Sequence, residues 1–233
     1  MPSESTPAAS PWGETRRFRD PINGFLHLTG FFFALLGTAF LLWRAQQRDV
    51  GHVWGTAVYG VGLCSCFLAS SLHHLVRGTR ALEMRLLKID HAAIYVFIAG
   101  SYTPICLWML PPPGGLWLLA LVWAIAFVGV IYKLRFAPDQ AHVDDPPPLL
   151  DTLLYVAMGW LAVPEAGQLF SRAMPGTAPL LVLGGLAYSI GGLILARRWL
   201  DFWPARFGHH EIWHLCVIAG SVFIYGFLFL NLY

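Results

Sequence analysis

Seven stretches of this chain stay apolar, at about residues 22–43, 53–75, 89–110, 116–134, 149–170, 179–196 and 210–232. Each is close to the roughly 20 mostly apolar residues that a helix needs to cross the hydrocarbon core of a bilayer. Polar or breaker segments divide them: RAQQRD, RGTRALEMRLLK, PPPGG, RFAPDQAHVDDPPP, SRAMPGTAP and RRWLDFWPARF. The pattern predicts seven membrane-spanning helices on short loops, with no internal repeat and no separate soluble domain. Pro104 and Pro164 fall inside runs and predict kinks. Trp43, Trp54, Trp108, Trp117, Trp203 and Tyr233 lie near run ends, where amphipathic rings anchor a helix at the interface. Residues 1–20 are polar, rich in Pro and Ser, and lack the apolar centre of a signal peptide. They are expected to form a disordered cytoplasmic tail ahead of one transmembrane domain, 21–233.

Composition supports this reading. Hydrophobic residues make up 57% of the chain and charged residues 12%, with a mean hydropathy of +0.59. An ordinary soluble domain carries about 25% charged residues. The fold class expected is all-α and polytopic. The net charge of +2 is spread over loops, so nucleic acid is not an expected partner. Cys64, Cys66, Cys106 and Cys216 all fall in apolar runs, which reads as packing rather than a disulfide framework.

The basic residues give an orientation. With the N-terminus in the cytoplasm, twelve of the fifteen Lys and Arg lie on that side, from Arg16 to Arg206; Arg44, Arg48 and Arg172 lie on the other. The positive-inside rule then predicts the N-terminus inside and the C-terminus outside.

On that map the histidines gather. His27, His73, His74, His91, His209, His210 and His214 come to one level from four helices, and only His52 and His142 fall elsewhere. Ionisable residues within a membrane are costly, so such a cluster marks a functional site. His210-Glu211-Ile212-Trp213-His214 spells the H-E-x-x-H of zinc proteases. Its two histidines, four apart, share a helix face and can hold one metal. A protease of that type takes a third ligand, usually downstream. After His214 there is no His, Asp or Glu, and Cys216 points away. The third ligand must come from upstream, from His73 or His74; Ser70 and His74 share a helix face.

These residues carry a family resemblance. SSLHH (70–74), KIDHAAIYVFIAGSYTP (88–104), YVAMGW (155–160) and HHEIWHL (209–215) resemble the haemolysin III family of the progestin and adipoQ receptor superfamily. INGFLH resembles that family's N-x-x-x-H at Asn23 and His27, with the usual preceding acid shifted to Asp20. The resemblance covers about residues 20–233. It implies a seven-helix bundle, N-terminus inside, holding Zn2+ through His74, His210 and His214, with Ser70 and Asp90 beside a fourth position open to water. Some of the family's receptors are reported to hydrolyse ceramide-like lipid amides, and related alkaline ceramidases share the pattern.

The expected function is therefore a zinc-dependent hydrolase of lipid amides or esters in a bacterial plasma membrane. Asp90 would orient or deprotonate the water. Ser70 would donate to the oxyanion or steady the site. Membrane lipids are the expected partners, and a fatty-acyl chain would lie between helices. Glu211 reads as a helix N-terminal residue, His73 and His209 as facing away from the ligands, and Asn23 and His27 as supports. The rival readings are a receptor or sensor with structural zinc, and a pore. A pore wants polar residues at all depths, and Glu165 is the main one in the outer half.

Overall fold

The computed structural model describes residues 18–140, 147–203 and 207–232. Arg16, Arg17, His142, Arg206 and Tyr233 lie outside the described residues, as does the expected tail up to residue 17. Phe18, Arg19 and Asp20 do not continue that tail. They are partly buried against the bundle, for a reason given below.

The chain folds into α1 (Pro21–Ala45), α2 (Val50–Leu75), α3 (Arg80–Trp108), α4 (Gly114–Ile131), α5 (Leu149–Gly159), α6 (Ala166–Arg172), α7 (Ala178–Arg197) and α8 (His209–Asn231). A π turn, Tyr132–Phe136, extends α4, and a 3-10 turn, Val163–Glu165, joins α5 to α6. Among the described residues there are seven segments long and apolar enough to cross a membrane, α5 and α6 together forming the fifth. The expected all-α, seven-span architecture is what forms. Large apolar side chains such as Phe33, Trp117 and Phe127 face outward, as a lipid-facing surface requires.

Two boundaries differ from the hydropathy pattern. α3 begins at Arg80, nine residues before the apolar run. Thr79 caps it by accepting from the Leu82 N–H (3.3 Å), and its first turns bury Met84 and Leu87 while Arg85 faces out. This stretch is an amphipathic helix start, which a hydropathy window averages into a loop. α3 then continues through Pro104 without a break.

The fifth span, read as one helix, breaks between Gly159 and Val163. Pro164 cannot supply an N–H, and the chain turns at Trp160. A break at membrane depth leaves backbone groups that lipid cannot satisfy. Tyr102 of α3 stitches it: its hydroxyl donates toward the Gly159 carbonyl (2.8 Å) and accepts from the Ala162 N–H (3.1 Å). The Trp160 indole N–H donates to Ser189 of α7 (2.9 Å).

Helix α2 packs on α1 and α3, α7 on α8, and α1 closes against α8. Between α2 and α3 the backbones touch. A Cβ at Gly62 would lie 3.1 Å from the Val96 carbonyl oxygen, and one at Gly100 3.1 Å from that of Val58. Small residues permit this approach, as is usual between membrane helices. α5 rests on α3 and α7 and leaves a cavity in the bundle. Replacing Tyr102→Phe strands the Ala162 N–H and the Gly159 carbonyl. A loss of about 1–3 kcal/mol is expected, read as a lower unfolding midpoint of the detergent-solubilised protein.

Candidate metal centre

His74 sits in the last turn of α2, and His210 and His214 in the first two turns of α8. Nε2 of His74 and Nε2 of His214 are 3.2 Å apart. The His210 ring stacks on His214 with centroids 4.9 Å apart and meets His74 edge-on at 5.0 Å. One nitrogen from each ring lies within 4.8 Å of the others, so the three could hold a metal ion. A tetrahedral zinc with Zn–N bonds of 2.0–2.1 Å needs ligand nitrogens about 3.3 Å apart. His74 and His214 already have that spacing, and the donor set suits zinc.

Two of the other ring nitrogens have polar neighbours. Nδ1 of His214 lies 2.7 Å from Nε2 of His27. Nδ1 of His74 lies 3.1 Å from Oδ2 of Asp20. Partners on the far ring nitrogen fix the tautomer and aim of a ligating histidine. Asp20 is itself held: the Asn23 amide donates to it (2.7 Å) and to Oε1 of Glu211 (2.9 Å). Oε2 of Glu211 accepts from the Gly208 N–H (2.7 Å) and caps α8. One amide thus joins the starts of α1 and α8. Burial opposes ionisation of Asp20, but the contact and charge of His74 and the hydrogen bond from Asn23 outweigh it, so its carboxyl is held down at about 2.

The same segment completes α2. The carbonyls in the last turn of a helix lack intrahelical donors. The Asp20 N–H donates to the His74 carbonyl (2.8 Å) and Arg19 Nε to that of His73 (3.1 Å). Residues 19 and 20 are docked because they close these groups.

Asp90 approaches from α3. Its carboxylate and one nitrogen each of His73 and His74 lie within 4.8 Å of one another, a second group able to hold a cation and sharing His74. Ser70 lies beside Asp90, and both line the cavity that the histidines reach. The structure therefore brings Ser70, His74, Asp90, His210 and His214 together, and His27 with them. His73 does not face away as expected. It lines the same cavity, with Nε2 3.0 Å from Arg19 Nη2. Glu211 serves its own helix start and Asn23, not the position of a protease base. Asp20 was noted in the sequence only as a displaced motif acid. Its spacing to Asn23 and His27 (i, i+3, i+7) places all three on one face of α1 and is the signal that marks it.

From this cluster a cavity of about 220 Å³ runs between α3, α5, α7 and α8. It passes Phe97, Ile98 and Tyr102 and reaches Leu169 and Phe170. Fold and site together define a seven-helix membrane protein with a buried histidine cluster, able to hold a metal, at one end of an apolar cavity. The haemolysin-III related family model matches residues 15–225, and the chain belongs to that family, a multi-pass integral membrane protein of the bacterial plasma-membrane type. A haemolysin-3 homologue of Bacillus subtilis (strain 168) is 32% identical over 85% of this chain and 87% of its own. Haemolysin-3 of Bacillus cereus is 31% identical over 87% of each. The human monocyte to macrophage differentiation factor is 26% identical over 86% of this chain and 79% of its own.

Removing a partner that aims a ligand typically costs 10–100-fold in metal affinity. Asp20→Ala and His27→Ala are each expected to weaken zinc by about that factor in a chelator competition. His214→Ala is expected to leave no tight site.

Proposed function

We propose that this protein is a zinc-dependent membrane hydrolase of lipid amide or ester bonds, with His74, His210 and His214 as the ligands. The observation that carries the reading is the cavity. It is polar where Ser70, Asp90 and the histidines meet, and apolar beyond. Asp90 and Ile105 both line it, about 22 Å apart along α3 at helical rise. That shape suits a single long acyl chain with its carbonyl at the histidine end. The apolar far part, with Leu169, Phe170 and Leu181, argues against a conducting pore. The Lys and Arg distribution supports the N-terminus and histidine end inside, the C-terminus outside.

When bound, zinc would acidify a water and polarise the carbonyl. The Asp90 carboxylate orients that water and takes its proton, in reach of the ligand histidines. Ser70, beside Asp90 in the cavity wall, can steady the carboxylate and donate to the carbonyl oxygen as charge grows there. Water adds to the carbonyl carbon, the C–N or C–O bond breaks, and Asp90 returns the proton to the leaving nitrogen or oxygen. The apolar walls hold the chain and keep bulk water out.

The test is incubation of the zinc-loaded protein with long-chain amides and esters, including ceramides. Release of fatty acid is expected, stopped by chelation and restored by zinc. Asp90→Asn is expected to lower turnover by about 100-fold or more while zinc content holds. Absence of turnover across the panel, or turnover unchanged in Asp90→Asn, contradicts the reading.

A further inference from the structure

Ser70, His73 and His74 stand at i, i+3 and i+4 in the last turns of α2, so they share one helix face. All three are buried and line the cavity. His74 serves as a ligand and Ser70 as a donor in the proposed reaction. His73 has no part in it, although it is only 2% exposed.

Arg19 holds His73 twice. Its Nε donates to the His73 carbonyl (3.1 Å), and its Nη2 lies 3.0 Å from the ring Nε2. A guanidinium donates and never accepts. Nε2 must therefore accept, and in the neutral ring the proton then sits on Nδ1. That Nδ1 is buried and meets no partner among the described residues. A buried donor left unmet is costly, and each such group calls for an explanation.

Two explanations compete. His73, His74 and Asp90 are close enough to hold a second cation. The tautomer opposes it: Nε2 is turned to Arg19, Nδ1 carries a proton, and the guanidinium charge repels a cation. His74 is committed as well, with Nδ1 toward Asp20 and Nε2 toward His214. A donor calls instead for an acceptor oxygen. Asp90 is near but takes no hydrogen bond from His73 Nδ1. The oxygen has to come from whatever fills the cavity.

We propose that His73 Nδ1–H donates to the carbonyl oxygen of the bound lipid amide or ester, alongside the Ser70 hydroxyl. The proposal rests on the hydrolase reading for its ligand. Two donors on one helix face suit the charge that gathers on that oxygen as water adds to the carbon. Arg19 polarises the imidazole through its other nitrogen, which strengthens the donor. The ring gains and loses no proton in this role.

The test uses the zinc-loaded full chain and a long-chain dialkyl ketone, 13C-labelled at the carbonyl, which offers the same oxygen and no bond to cleave. Infrared spectroscopy reads the carbonyl band, and calorimetry reads the affinity. In His73→Leu the band is expected to move to higher wavenumber and the affinity to fall about fivefold, the size of one hydrogen bond. His73→Asn keeps an N–H at the δ position and is expected to hold both near the wild type. His73→Gln carries its N–H one carbon further out and is expected to behave like His73→Leu. A single zinc in each protein shows that α2 and α8 have assembled. A band and affinity unchanged in His73→Leu, no ketone bound by the wild type, or a second zinc lost in His73→Leu overturns the proposal. A His73-dependent band without turnover of any amide or ester supports the donor and contradicts the hydrolase reading alone.

Discussion

The bundle is organised by the difficulty of keeping four imidazoles and a carboxylate side by side in an apolar interior. Unpaired polar groups are costly there, and each must find a partner. His27, His74, His210 and His214 resolve this by facing one another, with Asp20 closing one end and His27 the other. Without that convergence the end of α2 and the start of α8 would each leave stranded polar groups. With it, three helices and the segment before α1 are fixed at one point.

The rest of the architecture serves that point. Glycines let α2 lie directly on α3, which brings Ser70 and Asp90 to the same level as His74. The break in the fifth span keeps α5 and α6 from filling the space beside α3, and Tyr102 meets the backbone groups the break exposes. The cavity runs past this break. Irregular backbone at membrane depth is tolerated where it lines such a space.

Much of this was legible in the sequence because membranes impose strict lengths and a high cost on polar residues. The seven runs, the level of the histidines and the pairing of His210 with His214 all follow from those two constraints. The start of α3 was not legible, because Arg80 to Lys88 bury only a narrow apolar face. The break after Gly159 was visible only as Pro164, and Pro104 shows that a proline alone does not decide the matter. Asp20 and Arg19 read as tail, since nothing local reveals that the last carbonyls of α2 need donors. Nor does spacing alone tell that His73 shares the cavity with His74.

The central claim is that three imidazoles hold one zinc at this convergence. X-ray absorption at the zinc edge of the purified, zinc-loaded protein tests it most directly. The account predicts four-coordinate zinc with nitrogen and oxygen neighbours at about 2.0–2.1 Å, and the multiple-scattering pattern of three imidazoles. Sulfur neighbours near 2.3 Å, or a zinc surrounded by oxygens without imidazole scattering, would contradict it.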